Sequence, residues 1–289
     1  GLDMPSIQTD GVHLYYEVTG DGPPVIFVHE FGGDHRSWEP QVRYLSRFFT
    51  CITFNARGYP PSDVPEDPAA YSQEIFTRDI AAVLGALDIK QAHVVGLSMG
   101  SVSTLDFAIR FPTMARSIVL CGCGYGSVAE QRPAWLAGNA AMAEAIERDA
   151  AATAEAYAAG ATRVQFREKD PRGWGEFLAG LKALSPKGAA LTLKGVQAAR
   201  PSLFDLESKL RALDMPTLVV VGDEDEPALE PALFLKRRIR GAGLWVFPKT
   251  GHAVNAEEPA LFNQALLAFF TAVENGRWPD RHPDALPLK

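Results

Sequence analysis

The chain has 289 residues, of which 47% are hydrophobic and 22% charged, and a formal net charge of −7. This fits a globular protein with a substantial core, built as one large domain or one domain carrying an insertion. The mild acidity argues against a nucleic-acid surface, and no run approaches the ~18–20 apolar residues of a membrane span.

In chain order, residues 7–18 read as two short strands joined around Gly11, with a turn at Gly20-Asp21-Gly22-Pro23-Pro24. Val25-Ile26-Phe27-Val28 is a short, wholly apolar run, the pattern of a strand buried on both faces. Cys51-Ile52-Thr53-Phe54, His93-Val94-Val95, Ser117-Ile118-Val119-Leu120, Thr217-Leu218-Val219-Val220-Val221 and Leu244-Trp245-Val246-Phe247 extend the series. Between them lie helical patterns over 38–48, 72–87, 101–110, 231–239 and 259–273. The second carries Ile75, Ile80, Val83, Leu84 and Leu87 on one stripe. Alternating strands and helices predict an α/β fold with a mostly parallel sheet covered on both faces.

Residues 125–206 break that rhythm. They are alanine-rich, hold no buried strand pattern, and read as several amphipathic helices broken near Gly160, Pro171-Arg172-Gly173, Pro186-Lys187-Gly188 and Pro201. The expected division is a core of 1–124 and 207–289 with an inserted helical cap over the strands' C-terminal edge. The tail after Gly276, with Pro279, Pro283 and Pro287, reads as irregular. Cys51, Cys121 and Cys123 are odd in number and lack metal-type spacing. Cys121 and Cys123 fall two apart on one predicted strand, so they point the same way but sit too far apart to bridge easily. Reduced, buried thiols and a cytoplasmic location are expected. The opening Gly1-Leu2-Asp3-Met4 lacks a basic region before an apolar core, so no secretory signal is expected.

The chemistry centres on Gly96-Leu97-Ser98-Met99-Gly100, between a predicted strand and a predicted helix. A serine between two glycines at that junction is the nucleophile-elbow pattern. The turn is tight, and side chains at the flanking positions would collide with the neighbouring strand and helix. The following helix N-terminus points partial positive charge at the hydroxyl. A serine hydroxyl is a weak nucleophile and needs a base within reach. His252, just after the last strand, is the best candidate. Its imidazole in turn needs a carboxylate to fix the tautomer, and the loop after Val221 offers Asp223, Glu224, Asp225 and Glu226. The order serine, acid, histidine suits this architecture, and all three positions fall at strand C-termini, where open parallel sheets place their sites. There is no Gly-x-x-x-x-Gly-Lys-Ser/Thr phosphate loop, and no Gly-x-Gly-x-x-Gly after the first strand.

Around these residues the chain resembles the α/β-hydrolase superfamily through most of its length. His29-Glu30-Phe31-Gly32-Gly33 looks like the oxyanion loop, with Glu30 where glycine is usual. Asn55-Ala56-Arg57-Gly58-Tyr59-Pro60-Pro61-Ser62-Asp63 looks like the family's Asp-x-Arg-Gly-x-Gly-x-Ser segment. Gly222-Asp223-Glu224-Asp225 and Gly251-His252 are similar to the acid and terminal histidine motifs. The resemblance selects Asp225 as the acid, with Asp223 as fallback, and implies an oxyanion hole from the backbone N–H groups of Phe31 and Met99. It implies a serine hydrolase with a helical cap, acting without cofactor or metal on a small organic substrate, foremost a carboxylic ester or lactone. Alternatives on the same frame are carbon–carbon bond hydrolysis of a ring-cleavage product, cofactor-free lyase or oxygenase chemistry, and a ligand receptor. Candidate substrate contacts are Glu30, Trp135, Arg163, Trp174 and Arg200, although aromatic residues at helical spacing more often serve packing. The expected partner is the substrate alone, with no nucleic acid or membrane, in a monomer or homodimer.

Overall fold

The computed structural model describes residues 4–285. Gly1, Leu2, Asp3 and Pro287, which entered the readings of the two ends, lie outside the described residues. Eight strands form one sheet: β1 (Ser6–Thr9), β2 (Val12–Thr19), β3 (Pro24–Val28), β4 (Thr50–Phe54), β5 (Ala92–Leu97), β6 (Ala115–Cys121), β7 (Thr217–Gly222) and β8 (Ala242–Phe247). Their order is β1-β2-β4-β3-β5-β6-β7-β8. The β1–β2 and β2–β4 pairs are antiparallel and the rest are parallel, with Ile26 opposite both Ile52 and Val94.

The helices are α1 (Glu39–Leu45), α2 (Gln73–Ala86), α3 (Met99–Arg110), α4 (Arg132–Arg148), α5 (Ala150–Ala158), α6 (Val164–Lys169), α7 (Pro171–Lys182), α8 (Pro186–Thr192), α9 (Glu207–Arg211), α10 (Glu226–Arg238), α11 (Val254–Glu257) and α12 (Pro259–Glu274). Successive strand residues point to opposite faces, and the core divides accordingly. Val94, Ile118 and Val219 face α2, α3 and α10 through Ile80, Val83, Leu105 and Leu235. Val95, Val119 and Val220 face α1 and α12 through Leu45, Phe262, Leu266 and Phe269. Burying a side chain such as Phe262 or Leu266 contributes about 1.5–3 kcal/mol, so a continuous apolar run stabilises both layers at once.

The strand order reverses between β3 and β5. The chain leaves β3 toward α1 on one face and leaves β5 into α3 on the other, so two loops open side by side at the same edge. That crevice is where doubly covered parallel sheets hold their sites.

Three local readings need correction. The helix expected from Pro231 begins at Glu226, with Pro227 in the first turn and Pro231 inside. Pro231 packs against Gly124, where an added Cβ would lie 2.6 Å from it. β8 is not buried throughout: Trp245 and Val246 are 40% and 44% exposed, because this strand edges the sheet and pairs only with β7. Cys123 is not on a strand. β6 ends at Cys121, and Gly122 turns the chain at φ 59°. The three cysteines are free and buried; burial pushes the Cys51 thiol up to about 12 and that of Cys123 up to about 11.

Between β6 and β7, α4 to α8 lead into a π-helical turn, Leu193–Gln197. Asp149, Asp170 and Ser185 cap α5, α7 and α8. Pro171 and Pro186 open helices rather than break them, since the first turn has no acceptor for the missing N–H. This segment rests on the loops at the strands' C-terminal ends. An added Cβ on Gly188 would lie 2.1 Å from the Gly58 carbonyl oxygen, and one on Gly195 would lie 2.2 Å from that of Tyr71. Among the described residues no helix is long and apolar enough to cross a membrane.

Candidate active site

The elbow follows from close approach on both sides. A Cβ on Gly96 would lie 2.3 Å from the Gly100 carbonyl oxygen, and one on Gly100 would lie 2.0 Å from that of Val28. Only glycine lets β5, α3 and the end of β3 come so near. Ser98 between them has φ 56° and ψ −120°, a conformation rarely adopted by non-glycine residues and characteristic of functional sites. Its backbone N–H donates to the Cys121 carbonyl at 2.8 Å. The side chain is half-buried, at the N-terminus of α3.

Across Cys121 and Gly122 stand the other two residues of interest. A Cβ on Gly122 would lie 3.0 Å from both Nδ1 and Cε1 of His252 and 3.3 Å from Asp225 Oδ2. His252 Nδ1 donates to Asp225 Oδ2 at 2.7 Å. Both residues are buried, Asp225 completely. A carboxylate oxygen accepts, so the Nδ1 proton lies on that bond; in the neutral imidazole the lone pair is then on Nε2. No hydrogen bond joins Ser98 Oγ to His252 among the described residues; such contacts often tighten only around substrate. Asp223, the fallback acid, instead accepts the Thr250 N–H at 3.2 Å. The His252 loop is held on two sides: Gly251 N–H donates to Glu257, and His252 N–H donates to the Thr162 carbonyl at 2.9 Å.

At the end of β3, His29 Nε2 accepts the Ala56 N–H at 3.0 Å and Nδ1 donates to the Glu30 carbonyl at 2.8 Å. That pairing fixes a neutral tautomer, and burial lowers the His29 pKa. His29 therefore shapes the loop. The backbone N–H groups of Phe31 and Met99 donate to no other described residue, and that of Met99 opens α3. Glu30 folds back: its Oε1 accepts from Ser37 Oγ at 2.7 Å and occupies the place a Gly33 side chain would take. Burial raises the Glu30 pKa, partly offset by the Ser37 bond and the nearby Arg163 charge. A cleft of about 760 Å³ opens beside it, with Gly32, Ser37, Phe166 and Phe177 among its walls; Ser98 and His252 are not part of that lining. Arg57 binds Asp79 through two bonds of 2.8 Å, both side chains buried, and serves to hold its loop.

The remaining candidates separate. Trp174 Nε1 donates to the Ala158 carbonyl at 2.8 Å, joining α7 to α5. Trp135 stacks under Arg200, which donates to the Tyr125 carbonyl at 3.0 Å. Burial pulls Arg200 down to about 10. Arg163 is buried against Tyr157 and Phe177. A residue not singled out from sequence joins the site: the Tyr125 hydroxyl donates to Asp225 Oδ1, and its ring lies 4.5 Å from the imidazole. Burial and the Asp225 charge raise the Tyr125 pKa. A signal was present, since Gly122, Gly124 and Gly126 alternate around it directly after a core strand. Among the described residues no group of three or more His, Cys, Asp or Glu side chains is arranged to hold a metal.

Residues 25–265 match the model of the alpha/beta hydrolase family. The chain is 26% identical over 270 residues to 3-oxoadipate enol-lactonase 1 of Acinetobacter baylyi, covering 91% of this chain and 95% of that one. Its fold superposes on an esterase from Thermogutta terrifontis with a TM-score of 0.80 at 27% identity, covering 93% and 97% of the two chains. The enol-lactonase of Burkholderia xenovorans LB400 gives a TM-score of 0.82 at 24% identity, over 92% of this chain and all of that one. With the elbow, the strand order and the paired histidine and aspartate, these likenesses make this chain a member of the alpha/beta hydrolase family.

Proposed function

We propose that the protein is a serine hydrolase of carboxylic esters or lactones, with Ser98 as nucleophile, His252 as base and Asp225 as its orienting acid. The observation that carries this reading is the 2.7 Å bond between His252 Nδ1 and Asp225 Oδ2 at the sheet edge shared with the Ser98 elbow. His252 Nε2 takes the Ser98 proton as Oγ attacks the acyl carbon. The Phe31 and Met99 N–H groups donate to the carbonyl oxygen as negative charge develops on it. His252 then protonates the leaving alkoxide, and water activated by the same nitrogen releases the acyl group. In a lactone the leaving alkoxide stays attached, so one product carries both new ends. Relatives named as an enol-lactonase and an esterase support the substrate class.

Wild-type protein should hydrolyse short aryl esters and simple lactones. Ser98→Ala should reduce kcat by about 10⁴-fold or more, in line with loss of a triad member. A Ser98→Ala protein that kept most activity would point to proton-transfer chemistry by His252 on the substrate itself, and would reject the acyl-enzyme route.

A further inference from the structure

One charge near this site is left unused by the chemistry above. Arg163 follows Thr162, whose carbonyl accepts the His252 backbone N–H at 2.9 Å. It is only 4% exposed. Among the described residues its guanidinium makes one hydrogen bond, to the Tyr157 hydroxyl at 3.0 Å, and no ion pair. Its central carbon lies 4.4 Å from the Phe177 ring centre and 4.7 Å from that of Tyr157. Aromatic faces hold a guanidinium plane but leave its N–H fork unspent. The sealed polar atoms without a partner are Trp38 Nε1, Gln73 Oε1 and Asn255 Oδ1 among the described residues. No Arg163 nitrogen is in that set, so its unbonded N–H groups are not fully sealed.

Arg163 neighbours the catalytic groups through Thr162, which holds the His252 loop, and through Tyr157, which meets Phe31. The Arg163 charge opposes the burial-driven rise of both the Tyr125 phenol and the Glu30 carboxyl, so it lies within electrostatic reach of the Asp225 brace and the oxyanion loop. The Phe31 ring meets Tyr157 edge-on at 5.8 Å. Buried cations are ordinarily paired: Arg57 has Asp79, and Arg200 spends N–H groups on the Tyr125 carbonyl and Gln197. Glu30 does not pair with Arg163, because its carboxyl turns to Ser37 and Gly33.

We propose that Arg163 binds a carboxylate carried by the substrate, so that the preferred substrates are esters or lactones bearing a free carboxylate. This deepens the hydrolase reading and rests on it. The fork donates two parallel N–H···O bonds to the carboxylate while Tyr157 and Phe177 keep it planar. The anchored end then sets the acyl carbon against Ser98, with its oxygen toward Phe31 and Met99.

The test compares two 4-nitrophenyl esters, of glutaric acid (free carboxylate) and of glutaramic acid (neutral amide). Its readout is the ratio of their kcat/KM values. Arg163→Gln should lower the acid-to-amide ratio by about 10- to 100-fold. Arg167→Gln, at the exposed neighbour on α6, should leave the ratio within about threefold, the scale of a surface change. An Arg163→Gln ratio equal to wild type would overturn the proposal. Wild-type protein provides a check that needs no variant: glutarate should inhibit ester hydrolysis at least about tenfold more strongly than glutaramide, and equal inhibition would overturn it. If neither ester is cleaved, the hydrolase reading fails separately. Calorimetry with glutarate then still decides the role of Arg163, since binding by wild type and loss in Arg163→Gln support it, and no binding by wild type refutes it.

Discussion

Tyr125→Phe isolates the brace on Asp225. The substitution keeps the ring that lies 4.5 Å from the imidazole and removes only the hydroxyl that donates to Asp225 Oδ1. Asp225 is completely buried, so no bulk water replaces the lost donor. Hydrogen bonds to charged groups contribute about 1.5–3 kcal/mol. The unfolding entropy of a chain this long is about 0.6 kcal/mol/K, at ~2.1 cal/mol/K per residue. The melting temperature should therefore fall by about 2–5 °C. The carboxylate also loses one of its two anchors, so the imidazole is held less firmly. We expect kcat to fall about tenfold, which is about 1.4 kcal/mol of barrier, with KM little changed. Calorimetric melting and steady-state hydrolysis of 4-nitrophenyl acetate measure both effects. An unchanged melting temperature together with kcat within about twofold of wild type would show that the Tyr125 hydroxyl does not brace Asp225.

Three further outcomes follow from buried charges. The raised pKa of Glu30 means that its protonated form favours folding below about pH 4.5, and that this contribution is lost as pH rises through the folded value. Glu30→Gln should therefore gain stability over wild type from pH 5 to pH 8, with a slope of at most about 1.4 kcal/mol per pH unit; a constant difference across that range would contradict the assignment. His93 runs the other way. It lies buried between Ser117 and Glu274, and burial lowers its pKa to about 4 from 6.5, so stability present above pH 6.5 is lost on acidification. His93→Gln should flatten the fall in urea midpoint between pH 6.5 and pH 4, and an unaltered acid slope would count against it. Arg57→Ala strands the buried Asp79 carboxylate and should cost about 3–5 kcal/mol in urea unfolding. Arg57→Met with Asp79→Leu should cost less than the single change, and a larger cost would show that the loop needs the charge itself.

The sheet was legible because its central strands are apolar on both faces: Val94 and Val95, or Val219 and Val220, serve opposite layers of helices. The elbow was legible because both glycines answer a steric demand that Gly96 and Gly100 meet at 2.3 and 2.0 Å. The rest of the site depends on contacts distant in sequence. Tyr125 meets Asp225 from 100 residues away, through a loop bent at Gly122 and Gly124. The direction of the Glu30 carboxyl depends on Ser37, in the short helix that follows it. Trp245 and Val246 have the hydropathy of a core strand, and only the strand order reveals that β8 is an edge. Pro231 resembled a helix start because proline favours the first turn, yet Pro227 holds that position.

In the proposed route the His252 imidazole takes the Ser98 proton and so makes the hydroxyl reactive. Labelling with a fluorophosphonate, followed by mass spectrometry of the peptides, measures this directly. A single adduct on Ser98, formed at least about 100-fold more slowly in His252→Ala, is the predicted result. Labelling at another residue, or at an equal rate in His252→Ala, would contradict it.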